Sequence, residues 1–206
     1  MPFEHPLILG FDTSAAHCAA ALLSGDRIVS ATAEQMHTGQ AERLMVLLED
    51  VLTAANARWS DLNAIGVGVG PGNFTGIRIS VAAARGLSLA LGVPAVGVSN
   101  FEAAVYNEIR PATALVSAPR DQVYRQDFSP EGMRAPMVQL RGVASAEARA
   151  LGHNIVELPD LDLLVGNIAR LAAQRWQDTS VPPAPLYVRA ADAAPPKDAP
   201  PVMLES

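Results

Sequence analysis

The stretch Ala64-Ile-Gly-Val-Gly-Val-Gly-Pro-Gly-Asn-Phe-Thr-Gly-Ile-Arg-Ile-Ser80 decides the fold prediction for this chain. Its first part, Ile65–Val69, is short, apolar and β-branched, which predicts a buried strand. Gly70-Pro71-Gly72 predicts a tight turn, and the apolar residues from Gly76 to Leu91 predict a helix. Because glycines leave the backbone uncovered, a junction of this kind exposes N–H groups and a helix N-terminus to an anion or a partner.

The two familiar glycine-rich nucleotide motifs do not fit this stretch. A dinucleotide fingerprint needs glycine at positions i, i+2 and i+5, and the three registers available here place Pro71, Asn73 or Thr75 at i+5. A P-loop needs Gly-Lys-Ser/Thr, but the only lysine in the sequence is Lys197. The junction therefore carries neither standard motif.

A family resemblance is carried by the block Gly70–Ile79, which resembles the Gly-Pro-Gly-Ser-Phe-Thr-Gly-Leu-Arg signature of the TsaB (YeaZ) family. Ile8–Ser14 is similar to the opening strand of that family, and His37 and Pro185–Arg189 also match. The resemblance thus extends over nearly the whole chain. It implies the dimerisation subunit of the bacterial tRNA threonylcarbamoyladenosine machinery.

The order of elements in the first half predicts an α/β fold with a mixed sheet. Three strands form a β-meander, and an α-β-α-β series then adds parallel strands. This is the order of the actin/Hsp70/sugar-kinase (ASKHA) fold, which the resemblance implies as well. The predicted elements are strands Leu7–Asp12, Cys18–Leu23 and Arg27–Glu34, helix Gln40–Ala57, strand Ile65–Val69, helix Gly76–Leu91 and strand Ala95–Val98.

The pattern weakens after Asn100, so we predict two related subdomains, residues 1–100 and a smaller, divergent unit of residues 101–206. The second unit is expected to end in an extended, proline-rich tail from Val181 to Pro201. Its predicted elements are helix Phe101–Ile109, strands Ala114–Ser117, Val123–Phe128 and Met137–Leu140, a helical turn at Ser145–Leu151 and helix Leu161–Trp176.

Composition restricts the class of protein. Half of the 206 residues are hydrophobic and 17% are charged, which argues against a disordered chain. The net charge of −6 argues against nucleic-acid binding without a partner. The single cysteine, Cys18, fits a reducing compartment. With no basic leader at Met1–His5 and no long uninterrupted apolar run, we expect a soluble, cytoplasmic protein that does not enter a membrane.

Both long helices of the first half carry more apolar surface than one core requires. In the first helix, Val46 falls among polar residues and Met45 lies at their edge; in the second, Ala83, Gly86 and Ala90 share a narrow face. Such helices are buried in their own core or against another chain. The resemblance implies the second alternative, in which both helices pair with equivalents in a TsaD-like catalytic subunit. The predicted interface comprises Met45, Val46, Glu49, Arg78, Ile79, Ala83, Gly86 and Ala90.

The predicted structural turn holds the second helix in register for that interface. Its residues are Gly70, Pro71, Gly72, Thr75 and Gly76. Arg78 is placed in the first turn of the helix, where a cation opposes the helix dipole. We therefore expect an acidic residue or a phosphate as its partner, from this chain or across the interface.

Two segments occupy the places of the phosphate-binding turns of ASKHA enzymes. Asp12 persists in the first, but the following glycine is missing, so Asp12 and Thr13 are expected to satisfy turn amides. In the second, the family pattern Asp-Ala-Arg-Arg-Gly is replaced by Ser117-Ala-Pro-Arg-Asp121. The leading carboxylate and the flexible glycine are both lost. These degenerate positions predict no cofactor bound by this subunit alone, with nucleotide at the partner interface left possible.

Other candidate groups give no catalytic site. No two of His5, His17, His37 and His153 have the i, i+4 spacing of a helical metal pair, so no metal site is predicted. Cys18 lies in an apolar strand and is expected to be an inert core residue.

The function implied by these observations is that of a non-catalytic subunit that supports a TsaD-like partner in threonylcarbamoylation of tRNA. A TsaE-like ATPase is expected to join the pair, tRNA is expected to bind only through the complex, and the chain alone is expected to form a homodimer. The alternative is an active enzyme, either an ATP-dependent ASKHA phosphotransferase or a metal-dependent glycoprotease.

Overall fold

The computed structural model describes residues 4–188 and consists of two five-stranded sheets with five α-helices. The strands are β1 (Leu7–Asp12), β2 (His17–Ser24), β3 (Arg27–Gln35), β4 (Ala64–Gly68), β5 (Ala95–Val98), β6 (Ala112–Ala118), β7 (Gln122–Ser129), β8 (Gly132–Met133), β9 (Met137–Leu140) and β10 (Asn154–Glu157). The helices are α1 (Gln40–Ala54), α2 (Phe74–Leu91), α3 (Asn100–Ala104), α4 (Arg141–Ala150) and α5 (Leu161–Arg175), with a 3-10 turn at Trp59–Asp61.

The first sheet has the strand order β3-β2-β1-β4-β5. Strands β1, β2 and β3 pair antiparallel, whereas β1, β4 and β5 run parallel, with Ile8 opposite Ala64 and Ile65 opposite Ala95. The predicted β-meander followed by parallel strands is therefore confirmed. Because β1 lies at the centre, the carboxyl ends of β1 and β4 meet at one edge, where ligands bind in open α/β sheets.

Helices cover both faces of this sheet. Leu9 and Ile65 point to one face, where they join a core with α1 and α2. Ile8 points to the other face, which is covered by α5. Glycine permits the close approach of α5, since a Cβ atom at Gly10 would lie 2.8 Å from the Ala169 side chain.

The second sheet has the order β10-β6-β7-β8, with β9 also pairing with β7. The predicted division at residues 100 and 101 stays a prediction. The two sheets lie on either side of it, but α5 comes from the second half and packs on the first sheet.

Several element bounds differ from the sequence predictions. Helix α2 begins at Phe74, two residues before the predicted start, because Asn73 accepts a hydrogen bond from the Gly76 amide and acts as the N-cap. Helix α1 ends at Ala54, α3 is confined to Asn100–Ala104, and α4 extends over Arg141–Ala150. Strands β8 and β10 were not predicted, because runs of two and four residues give little periodicity. Residues 181–188 contain no helix or strand, and the remainder of the predicted tail lies outside the described residues.

A buried ion pair connects the second sheet to α4. The Arg125 guanidinium donates two hydrogen bonds to the Asp127 carboxylate, at 2.8 and 3.0 Å, and a third to Glu147 at 2.6 Å. Thr113 Oγ1 also donates to Asp127, at 2.8 Å. Burial raises the pKa of Asp127, but the hydrogen bonds from Arg125 and Thr113 outweigh it, and the net pKa lies below the ordinary value.

Candidate functional site

The turn between β1 and β2 contains a buried polar cluster. Asp12 Oδ2 accepts hydrogen bonds from the Ser14 amide (2.9 Å) and the Ser14 hydroxyl (2.8 Å), and it lies 2.7 Å from His17 Nε2. Asn100 Nδ2 donates to Ser14 Oγ at 2.8 Å. The other oxygen, Asp12 Oδ1, has no partner among residues 4–188, but a Cβ atom at Gly68 would lie only 1.9 Å from it. The Asp12 carboxylate is thus enclosed by its own turn and by β4.

The turn before α2 packs directly on this cluster. A Cβ atom at Gly72 would lie 2.1 Å from the Ser14 carbonyl oxygen, and one at Gly76 would lie 1.9 Å from the Thr13 carbonyl oxygen. The Asn73 amide donates to the Ser14 carbonyl at 2.5 Å, and Thr13 Oγ1 donates to the Gly76 carbonyl at 2.7 Å. Backbone therefore lies against backbone, which only glycine permits at positions 72 and 76.

Asn100 connects the same turn to α3. Its amide N–H donates to the Gly70 carbonyl at 2.8 Å, and its Nδ2 donates to the Pro71 carbonyl at 2.9 Å. The Gly70–Pro71 peptide bond is cis. Four of the predicted turn residues (Gly70, Pro71, Gly72 and Gly76) lie within this packed junction, whereas Thr75 is exposed at its edge.

The arrangement leaves the predicted first phosphate turn closed. Asp12 and Thr13 are both 0% exposed, and Ser14 is 1% exposed. A phosphate group must reach backbone amides or a hydroxyl at the surface of such a turn. Here Gly72 and Asn73 lie against the Ser14 carbonyl. The hydroxyl of Thr13 and the amide of Ser14 are already hydrogen-bonded within the chain.

The second predicted turn, between β6 and β7, keeps its left-handed backbone. Arg120 and Asp121 have φ values of 61° and 55°, so both residues adopt the left-handed conformation that favours glycine. The turn is held from outside, since the Arg141 amide donates to the Asp121 carbonyl at 2.9 Å. Ser117 Oγ accepts a hydrogen bond from Arg141 Nη2 at 2.8 Å. Asp121 thus stands where the family pattern has glycine.

Glycine at position 120 is expected to stabilise the protein. A left-handed conformation costs an ordinary L-residue about 1 kcal/mol, so Arg120→Gly should raise the free energy of unfolding by roughly 0.5–1 kcal/mol. Asp121→Gly should give a smaller gain, because aspartate tolerates this region better than arginine. Urea unfolding of both variants measures the difference. A loss of stability in Arg120→Gly would contradict the strain argument.

Helices α1 and α2 lie side by side and expose apolar side chains. Met45 and Val46 of α1 are 43% and 53% exposed. Ile79 and Ala83 of α2 are half-buried, whereas Gly86 and Ala90 are exposed. Glu49 is exposed and accepts a hydrogen bond from Trp59 Nε1. We call the exposed surface formed by Met45, Val46, Ile79, Ala82, Ala83, Gly86, Leu89 and Ala90 the α1–α2 face.

Sequence reasoning missed the most exposed apolar residue of this face. Leu89 is 87% exposed, although leucine in an apolar helix is ordinarily assigned to the core. The only sequence signal for this exposure is that Leu89 lies one helical turn after both Arg85 and Gly86, on the outer side of α2. The side of α2 that packs inward comprises Gly76, Ile77, Ser80, Val81 and Ala84.

Arg78 has partners that the sequence analysis did not predict. Because α2 begins at Phe74, Arg78 lies in its second turn rather than its first. Its Nε donates to Tyr187 Oη at 2.9 Å, and its guanidinium carbon lies 3.7 Å from the centre of the Phe74 ring. The rings of Phe74 and Tyr187 are 4.9 Å apart. Within the described residues Arg78 thus contacts two aromatic rings, and an acidic or phosphate partner across the interface stays a prediction.

One described helix, α2, is long and apolar enough to cross a membrane. A single helix of this kind is weak evidence of a membrane span, because core helices of other proteins have the same composition. Here α2 packs on β4 and β5.

The remaining candidate groups are held within the fold. Among residues 4–188, no group of three His, Cys, Asp or Glu side chains is arranged to hold a metal ion. Cys18 is buried, and its burial raises the pKa of the thiol to about 11, so it is protonated at neutral pH. His153 Nδ1 lies 2.9 Å from Thr113 Oγ1, and His37 is exposed before α1.

Comparisons with known proteins indicate the family of this chain. Residues 28–172 match the family model described as TsaD, tRNA N6-adenosine threonylcarbamoyltransferase. The Escherichia coli tRNA threonylcarbamoyladenosine biosynthesis protein TsaB is 38% identical over 94 residues, which cover 46% of this chain and 40% of that protein. An uncharacterized protein of Mycobacterium tuberculosis is 35% identical over 164 residues, covering 75% of this chain and 77% of the relative.

A solved structure supports the same assignment. The Pseudomonas aeruginosa protein described as similar to peptidase YeaZ has a TM-score of 0.69 and 25% identity, and the match covers 89% of this chain and 100% of that one. The alignment with the E. coli relative spans less than half of either protein. Sheet order, glycine junction and these relatives together show an ASKHA fold, and the chain belongs to the TsaB (YeaZ) family.

Proposed function

We propose that this chain is a non-catalytic subunit of the machinery that makes threonylcarbamoyladenosine in tRNA. The α1–α2 face binds a TsaD-like catalytic subunit, and a TsaE-like ATPase joins the pair. The proposal rests on the exposure of two apolar side chains, Val46 and Leu89, which are 53% and 87% exposed. A protein that worked as a monomer would be expected to bury the apolar surface of these helices. The relatives named TsaB support the pathway.

The closed turn at Asp12 favours a non-catalytic role for this subunit. A phosphotransferase of this fold needs an open turn in which the carboxylate holds magnesium and the backbone receives phosphate. Asp12 instead accepts hydrogen bonds from Ser14 and lies against Gly68. In the proposed function this subunit needs no cofactor of its own, nucleotide and tRNA reach it only in the complex, and the complex acts in the cytoplasm.

The α1–α2 face also supports a weaker self-association. In the absence of TsaD, the same apolar surface is available to a second copy of the chain. We expect a homodimer that dissociates on addition of the catalytic subunit. Sedimentation or light scattering of the chain alone and with excess TsaD tests whether its affinity for TsaD exceeds its affinity for a second copy of itself.

A charge placed on the α1–α2 face is expected to weaken assembly. Burying an unpaired charged side chain in an apolar interface costs roughly 2–4 kcal/mol, which weakens binding about 30- to 700-fold. Val46→Glu and Ala83→Arg should therefore both raise the dissociation constant for the TsaD homologue of the same organism. Isothermal titration calorimetry measures that constant, and circular dichroism checks that each variant is folded.

Val143→Glu provides a matched control for that experiment. Val143 is on α4, is 45% exposed, and undergoes the same substitution away from the α1–α2 face. It should leave the affinity for TsaD unchanged. Equal binding by Val46→Glu and Val143→Glu would reject the proposed interface. Magnesium-dependent ATP turnover by the pure chain, or peptidase activity lost on chelation, would instead favour an active enzyme.

A further inference from the structure

A cavity of about 480 Å³ lies on the face of the first sheet opposite the α1–α2 face, beside the end of α5. Its floor includes Ile8 and Leu23, which are both 1% exposed. Tyr106 and Trp176 line it and pack against the same apolar core. The volume falls within the range of small-molecule sites, which are lined mostly by apolar and aromatic groups.

Arg170 of α5 lines this cavity without a counter-charge. The side chain is half-buried, yet no carboxylate among residues 4–188 lies within ion-pair distance of its guanidinium. The guanidinium lies over Gly166, where a Cβ atom would be 3.0 Å from Arg170 Nη1. Glycine at 166 thus leaves room for the guanidinium beside the helix.

A neighbouring arginine shows the contrast. Arg175 lies on the same helix, outside this cavity's lining, and forms an ion pair with Glu102 at 2.9 Å. Partly buried arginines elsewhere in the described chain, such as Arg43 and Arg125, also pair with carboxylates. A guanidinium that has lost part of its hydration is stabilised by an anion. Arg170 instead shares a cavity with the rings of Tyr106 and Trp176, and the exposed Asp26 carboxylate of that cavity lies beyond ion-pair distance.

We propose that this cavity binds a small molecule with a planar ring and one anionic group. The ring packs on Tyr106 and Trp176, and the anion pairs with the Arg170 guanidinium. The exposed Asp26 carboxylate at the rim accepts a hydrogen bond from an N–H or O–H group of the ring. An aromatic carboxylate and a nucleoside monophosphate share this chemistry. The site is independent of the proposed contact with TsaD, because it lies on the opposite face of the sheet.

Trp176 allows a direct test in the full-length chain. The sequence has two tryptophans, Trp59 and Trp176, so Trp59→Phe leaves Trp176 as the only indole reporter. Indole-3-acetate is detected by calorimetry, and adenosine 5′-monophosphate by calorimetry and Trp176 fluorescence. We expect saturable binding of at least one probe with a dissociation constant below about 1 mM. The probe that binds more tightly identifies the anion as carboxylate or phosphate.

Three variants decide whether such binding occurs in this cavity. Arg170→Gln is expected to raise the dissociation constant about tenfold or more, because a charge-assisted pair is lost. Ala173→Phe, which fills the cavity from its half-buried wall, is expected to abolish binding. Arg175→Gln removes a charge from the same helix and should leave binding unchanged. Absence of binding by both probes at 10 mM, or equal binding by wild type and Arg170→Gln, overturns the proposal.

Discussion

Gly76→Ala is expected to lower the free energy of unfolding by about 3 kcal/mol or more, or to prevent folding. An added Cβ atom would lie 1.9 Å from the Thr13 carbonyl oxygen, and neither group is at the end of a flexible side chain. Relief of the clash requires that α2 move away from the turn after β1. That movement breaks the hydrogen bond from Thr13 Oγ1 to the Gly76 carbonyl. Urea denaturation followed by circular dichroism measures the loss.

Gly86→Ala is the matched control on the same helix. Gly86 is exposed, and no atom lies within 4 Å of the Cβ position. Because alanine favours helix over glycine by about 0.8–1 kcal/mol, this variant should be slightly more stable than wild type. Similar effects of the two substitutions would show that α2 does not press on the β1–β2 turn. The pair therefore separates helix propensity from the backbone contact.

Arg125→Met is expected to destabilise the second sheet by about 3–5 kcal/mol at neutral pH. The substitution leaves the Asp127 carboxylate, which is 5% exposed, without its bidentate cation. Glu147→Gln removes the second carboxylate that pairs with Arg125, but the Glu147 side chain is 51% exposed. Exposed ion pairs contribute little, so Glu147→Gln should cost less than about 1 kcal/mol. Guanidinium chloride unfolding of both variants measures how much unfolding free energy each one loses.

The effect of Arg125→Met should depend on pH. In the wild type the pKa of Asp127 is lowered, so the paired carboxylate contributes stability above its unfolded pKa of about 3.9, and that contribution is lost as the pH falls through the folded pKa. In the variant, burial without the cation raises the pKa of Asp127, and protonation removes the penalty. The difference between the two proteins should therefore shrink between pH 7 and pH 4. A difference independent of pH would contradict this account of the cluster.

The first sheet was largely predictable because its signals are local. Runs such as Leu7–Asp12 and Ala95–Val98 are fully apolar or nearly so, and the spacing of leucines in α1 repeats with the helix. The glycine junction fixed the strand-turn-helix order of β4 and α2. The second sheet was less predictable, because β8 and β10 are too short to show a period.

Exposure of the candidate interface residues was predictable only where it depends on one helix. Helical periodicity placed Met45, Val46, Gly86 and Ala90 on the predicted interface, and all four are exposed. Leu89 was missed because its exposure depends on where the rest of the chain packs. The contact of Arg78 with Tyr187 was not predicted, because Tyr187 is 109 residues away in sequence.

The sequence by itself determined the order of strands and helices in the first sheet, the glycine turn and the amphipathic faces, because each is encoded within a short window of side chains. Only the tertiary structure decided that Asp12 and Thr13 are closed off, that α5 covers the second face of the first sheet, and that Arg170 faces an open cavity. These features arise where segments more than sixty residues apart come into contact, as Thr13 and Gly76 do. Their distances are set by packing of the whole chain, which no local pattern records.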